Sequence, residues 1–295
     1  MASSNSQHFT KIAHNKIAQG GERWMLAMPT AEGVAPNIPI HGPAQLIASA
    51  KQGHHKDTNY SNASFLQLIE GKARQTHQHL IRSLGPCSLL VYGEMDGNHS
   101  DWQSMGQHAG ELVGATSSGK ACNSFSVHAA NNSQHTLVAS GMGWVAVRSQ
   151  GIMALFVHVP NDVAKERGKT LRFYSDIRTQ VLQATGGGVI DLIMGDTNQP
   201  RSGYTQEIVT QAMGIQFSEL HKDKLIQPED AYQRSFGGTN STGTQKYDIA
   251  LHNTETVKVE NMVYLSQCTE IIGTSGSEAA AITDHMGIGV KVVKV

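Results

Sequence analysis

The segment Val189-Ile190-Asp191-Leu192-Ile193-Met194-Gly195-Asp196-Thr197-Asn198 decides how this chain is read. Val189 to Met194 is a nearly unbroken apolar run after Gly186-Gly187-Gly188, which stops the helix before it. An apolar run of that length predicts a buried strand. Gly195 to Asn198 is turn chemistry, because Asp and Asn side chains bond their own backbone. Asp196 and Asn198 are also two residues apart. At a strand end, that spacing lets both side chains face one pocket.

Working outward, other polar residues stand against apolar runs. Glu94 follows Cys87 to Tyr92 with Gly93 between, and Asp248 opens the run Ile249-Ala250-Leu251. Asp284-His285 leads into the last apolar stretch, and His158 closes Ile152 to Val157 before Val159-Pro160-Asn161 turns the chain into a helix. Asn15 falls inside the alternating segment Phe9 to Ala18, where strand propensity disfavours asparagine. Carboxylates at several strand ends can converge on one hard divalent cation. Such an ion beside a histidine is a site for cleaving phosphate esters.

Composition bounds the class. The chain has 295 residues, long enough for one large α/β domain, with 39% hydrophobic and 16% charged residues, as a globular protein has. A formal net charge of −1 supplies no global positive field for a polyanion, although a local basic groove would suffice. Three scattered cysteines, Cys87, Cys122 and Cys268, form neither a disulfide framework nor a metal motif. No apolar run reaches membrane-spanning length and no leader pattern opens the sequence. The expectation is a cytoplasmic protein, or one exported without a cleavable signal.

The remaining segments order as follows. Strands are expected over 9–18, 24–28, 87–92, 123–129, 136–140, 144–148, 152–159, 247–252, 256–264 and 291–295, with a tight hairpin at Ser149-Gln150-Gly151. Helices are expected over 44–51, 65–84, 101–113, 162–184 and 206–213. Residues 31–60, rich in Pro, Gly and His, read as an insertion or long loop in one domain spanning 1–295. Gly114-Ala115-Thr116-Ser117-Ser118-Gly119-Lys120 almost spells a phosphate-binding loop. Ala121 follows where Ser or Thr would reach the magnesium ion, so it is set aside.

The ordered set resembles the endonuclease/exonuclease/phosphatase superfamily, which is deoxyribonuclease-I-like. Ile12-Ala13-His14-Asn15 resembles its first-strand asparagine motif, Glu94 its metal-binding glutamate, and His158-Val159-Pro160 its strand-end histidine motif. Gly195-Asp196-Thr197-Asn198 resembles its Gly-Asp-x-Asn hallmark; Tyr247-Asp248 and Thr283-Asp284-His285 resemble its last two motifs. Gly93 departs from the family, which usually has glutamine there, and no arginine matches the one many of its nucleases place before the histidine. Met142-Gly143 occupies that region.

The resemblance implies an α/β, four-layer sandwich of two mixed β-sheets flanked by helices. It implies a Mg²⁺ (or Mn²⁺) ion held by Glu94, Asn15 and Asp284, and a catalytic set of His158, Asp196, Asn198, Asp248 and His285. Asp196 and Asn198 would position the attacking water, His158 would bond a phosphate oxygen, and His285, paired with Asp248, would move a proton or hold the phosphate. Asp196 and His285 both stand as the general base. The implied activity is hydrolysis of a phosphodiester, first of DNA and also of RNA. Alternatives are a phosphatase or phospholipase on inositol or lipid headgroups, a tyrosyl-DNA phosphodiesterase-like repair enzyme, and a scaffold without activity. Lys165, Arg167, Lys169, Arg172, Arg201 and Arg234 are the basic candidates for strand contact, weighed against a plain solvated face.

Overall fold

A computed structural model describes residues 45–51, 88–93, 111–116, 125–129, 134–199, 202–219, 247–265 and 287–295. The strands in chain order are β1 (Gln45–Lys51), β2 (Leu89–Gly93), β3 (Glu111–Thr116), β4 (Phe125–Ala129), β5 (His135–Gly141), β6 (Trp144–Ser149) and β7 (Ile152–His158). Helices α1 (Asn161–Ala164) and α2 (Arg167–Thr185) follow, then β8 (Leu192–Asp196), α3 (Ser202–Met213), β9 (Phe217–Glu219), β10 (Asp248–Asn253), β11 (Val257–Leu265) and β12 (Gly287–Lys294).

These strands make two six-stranded sheets, ordered β11-β12-β1-β2-β4-β3 and β5-β6-β7-β8-β10-β9. Each is mixed: β1 runs parallel to β2 and β7 parallel to β8, and the other pairs are antiparallel. Alternation decides which side chains meet. Leu89, Val91, Val127, Val290 and Val292 of the first sheet join Val145, Ala154, Phe156, Leu192, Met194 and Ala250 of the second in one core between the sheets. The intervening residues Leu155, Val157, Ile193, Ile249 and Leu251 face outward, where α2 and α3 cover them. Helix α2 buries Thr170, Tyr174, Ile177 and Val181, one stripe at helical spacing. Gly186, at φ 67°, ends it as a left-handed cap.

The hairpin at 149–151 forms as the sequence predicts, with Gln150 at φ 46° and Gly151 at φ 85°. Two successive positive φ values match the right-handed twist of the flanking strands. Three other expectations are corrected. Residues 44–51 are not a helix: Gln45–Lys51 is an inner strand, bonded on one side to β12 and on the other to β2. It lies within 31–60, so this part of the proposed insertion belongs to the sheet. Residues 111–113 end no helix, because Glu111–Thr116 is an edge strand pairing with β4. That strand also takes up Gly114, Ala115 and Thr116, so the apparent phosphate loop begins in extended backbone. The helix expected over 162–184 is broken in two at Glu166, which is extended at φ −123° and ψ 118°. The segments 9–18, 24–28 and 65–84 lie outside the described residues. Among the described residues no helix is long and apolar enough to cross a membrane.

Candidate active site

Strands β7, β8 and β10 lie side by side, and their registers line up three of the residues singled out in the sequence. His158 is the Cα partner of Asp196, and Asp196 is the Cα partner of Asp248. Paired residues share one face of a sheet. Two residues inward on each strand stand Phe156, Met194 and Ala250, all lining the core between the sheets. The period of two therefore sets His158, Asp196 and Asp248 on that same face, at the rim where the apolar lining stops. They are 7%, 1% and 3% exposed, as dry as the core they border. His158 Nε2 lies 3.8 Å from Asp196 Oδ2.

The turn after β8 carries the fourth residue. Asp196 Oδ1 accepts the Asn198 backbone N–H at 2.7 Å, the turn chemistry expected of this segment, which here adjoins the polar row. Asn198 takes φ 51°, a left-handed conformation that asparagine tolerates. Its Nδ2 donates to Val159 O at 2.7 Å, and Val159 N donates to Asp196 O at 2.9 Å. The loop after β7 and the turn after β8 are thereby locked together. On the other side, Thr197 donates to Tyr247 O through both its backbone N and its hydroxyl, each at 2.9 Å. That ties the turn to the entrance of β10.

Two glycines, Gly195 of the Gly-Asp-x-Asn segment and Gly143, shape the backbone around the row. Gly195 has φ 128°, and a Cβ there would run into the Val157 carbonyl oxygen. Only glycine lets β8 approach β7 at this point. Gly143, at φ 77°, turns the β5–β6 hairpin, and its carbonyl oxygen accepts the His158 N–H at 2.8 Å. The signal for Gly143 was present in Gly141-Met142-Gly143, a glycine-rich turn between two strands. Gln199, fully buried directly after the hallmark, was also passed over.

The structure thus brings His158, Asp196, Asn198 and Asp248 together. Asn15, Glu94, Asp284 and His285 lie outside the described residues; Glu94 follows directly on Gly93, the last residue of β2. Among the described residues no group of three or more His, Cys, Asp or Glu side chains could hold a metal ion. The neighbouring Asp196 and Asp248 carboxylates are oxygen donors, the chemistry a hard divalent cation prefers.

Behind the row, the hydroxyl of Tyr174 is fully buried and has no hydrogen-bond partner among the described residues. Burial first, and then the Asp196 charge, push its ionisation far above the ordinary phenol range, so it stays a neutral hydroxyl. Two of the basic candidates for strand contact have partners within the chain. Lys169 Nζ reaches Glu166 Oε1 at 2.6 Å; Arg167 reaches Glu207 Oε2 at 3.4 Å and lies over the Tyr204 ring, 5.2 Å from its centroid. The solvated-face reading fits these two better than strand contact. Arg201 and Arg234 lie outside the described residues.

No protein-family model matches the chain, and no curated protein matches it in sequence. Solved structures do match in fold. An endonuclease/exonuclease/phosphatase family protein from Bacteroides thetaiotaomicron aligns at a TM-score of 0.56 and 11% identity, covering 84% of this chain and 97% of that one. The catalytic domain of human Nocturnin aligns at 0.53 and 10% identity, covering 86% of this chain and 95% of that one. TDP2 of D. rerio, solved with a single-strand DNA product, aligns at 0.51 and 14% identity, covering 85% and 99%. The chain has the fold of the endonuclease/exonuclease/phosphatase superfamily, the deoxyribonuclease-I-like sandwich of two mixed sheets with helices.

Proposed function

We propose that this protein is a metal-dependent phosphodiesterase that hydrolyses DNA. The observation that carries the reading is the row His158–Asp196–Asp248, a buried polar edge aligned across three strands of this fold. A fold by itself does not choose a function, so the weight rests on that row. The choice of a nucleic acid draws further support from a neighbour in fold, TDP2 of D. rerio, solved with a single-strand DNA product.

In the proposed mechanism the imidazole of His158 donates a hydrogen bond to a non-bridging phosphate oxygen, with Asp196 beside it. Asp196 and Asn198 orient the attacking water against phosphorus. Asp248 fixes the ring orientation of His285, which holds the phosphate or moves the proton. The group that takes the proton from water is Asp196 or His285. Glu94, Asn15 and Asp284 would hold Mg²⁺ or Mn²⁺, which when bound polarises a phosphate oxygen and stabilises the leaving alkoxide. Dry surroundings strengthen each of these interactions, because buried charges are screened less than exposed ones.

The test is nicking of supercoiled plasmid by the full chain. We expect nicking with Mg²⁺ or Mn²⁺, silence in EDTA, and recovery when the ion is returned. Asp196→Ala and His285→Ala should each lower the rate by roughly a thousandfold or more while the folded spectrum is kept. Full activity in either variant removes its assigned role. Release of phosphate from an inositol or lipid headgroup without nicking would move the substrate to that class. Absence of every one of these activities would leave a scaffold.

A further inference from the structure

We propose that Gln199 is a positioning residue for Asp196 and Asn198, acting as a clamp between the turn after β8 and all three described helices. Its side chain is fully buried, as are those of Thr170 and Thr205. Gln199 Nε2 donates to Thr170 Oγ1 at 3.2 Å and to Ala164 O at 3.5 Å. Gln199 Oε1 accepts the hydroxyl of Thr205 at 2.5 Å. Ala164 closes α1, Thr170 lies in the first turn of α2 and Thr205 in the first turn of α3. One amide therefore has both its donor and its acceptor sides engaged, each by a different helix.

The network continues past the amide. The single hydroxyl proton of Thr170 is shared between the carbonyl oxygens of Val163 and Glu166, 2.9 and 3.1 Å from Oγ1, bridging the break between α1 and α2. Gln199 N lies 3.3 Å from Thr197 Oγ1, the hydroxyl that donates to Tyr247 O at the start of β10. Asn198 stands between these anchors in a left-handed conformation. Asparagine tolerates such a backbone, and the buried, hydrogen-bonded amide of Gln199 next to it holds the turn in that one conformation. If Gln199 lets go, the turn can relax. The Asn198 N–H then leaves Asp196 Oδ1, and the carboxylate loses its fixed orientation beside His158.

The positional claim rests on these hydrogen bonds; its catalytic consequence rests on the phosphodiesterase reading above. The variants are Gln199→Met, close in volume but without an amide, and Thr205→Val, which removes one arm. Two readouts are taken on the full chain. The first is native-state hydrogen exchange of the Asn198 amide by NMR, with the Leu155 and Ile193 amides as references. The second is kcat and KM for plasmid nicking.

Gln199→Met should lower the protection of Asn198 at least tenfold more than that of the references, and Thr205→Val should do so severalfold. The kcat of Gln199→Met should fall by about tenfold while KM stays within twofold, the pattern of a group that orients the reacting residues. Wild-type protection at Asn198 in both variants overturns the clamp. A loss that only keeps step with Leu155 and Ile193 also overturns it, because that is general destabilisation. If Gln199→Met does not fold, Thr205→Val decides. Lost protection with unchanged kcat overturns the link to chemistry. If the wild type nicks no DNA, the DNA-hydrolysis reading fails and the exchange arm still decides the clamp.

Discussion

Along β7, β8 and β10 the chain changes character within two residues. Phe156, Met194 and Ala250 fill the space between the sheets, while His158, Asp196 and Asp248 stand on the same strands, on the same face and equally dry. The inner row has only apolar neighbours to satisfy. The rim row is polar and buried, which costs free energy unless each group is bonded; His158 Nε2 lies beside Asp196, and Asp196 accepts the Asn198 N–H of the adjoining turn. Neighbouring residues in one strand therefore answer to different demands, one to apolar packing and the other to the bonding of buried polar groups. Burial does not tell the rows apart; residue type and register do.

That contrast can be broken by experiment. Phe156→Ala empties part of the inner row and should cost about 3–5 kcal/mol of stability in urea unfolding. The fraction that remains folded should nick at close to the wild-type rate. Asp196→Ala should show the reverse, with the nicking rate lost and a much smaller fall in stability. If both variants lose stability and rate in parallel, the two rows are one unit and the separation is wrong.

Gly195→Ala tests the junction between the rows. The new methyl group meets the Val157 carbonyl oxygen in a backbone region that L residues avoid, so β7 and β8 must part at the rim. We expect a loss of about 2–3 kcal/mol in thermal or urea unfolding, together with loss of nicking by the folded molecules. Normal stability and normal nicking would mean that the rim tolerates displacement.

The smallest effect concerns His135, a buried imidazole in the second sheet but away from the rim row. Burial holds its pKa below the ordinary histidine value of 6.5, so the folded protein keeps it neutral where the unfolded chain would bind a proton. Its contribution to stability is therefore complete above pH 6.5 and declines as the pH falls from there toward its folded value. In His135→Gln the fall in unfolding free energy between pH 7 and pH 5 should be shallower than in the wild type. The difference cannot exceed about 1.4 kcal/mol per pH unit, the limit for one proton. Equal slopes would show that His135 is free to protonate in the folded state.

The strands also differ in how far the sequence betrayed them, and β9 (Phe217–Glu219) was not expected at all. Strands β6, β7, β8 and β10 carry long apolar runs, and each was expected within a few residues of where it lies. Strand β1, Gln45-Leu46-Ile47-Ala48-Ser49-Ala50-Lys51, has alanines and polar ends that suit a helix equally well. It is extended because β12 and β2 bond it from both sides, a tertiary demand stronger than its local preference. The same holds for Glu111 to Thr116 beside β4.

The sequence by itself determined the fold class: apolar runs of strand length, glycines that end helices, and His158, Asp196 and Asp248 beside such runs. Those are local properties, fixed by side-chain chemistry and by the period of two. Only the tertiary structure decided that His158, Asp196 and Asp248 form one row on the face between the sheets, and that Gln199 ties their turn to three helices. Register and long-range hydrogen bonds join residues far apart in sequence, from Thr170 to Gln199 and from Asp196 to Asp248. No local pattern records such a pairing, because its free energy exists only once the strands and helices have been brought together.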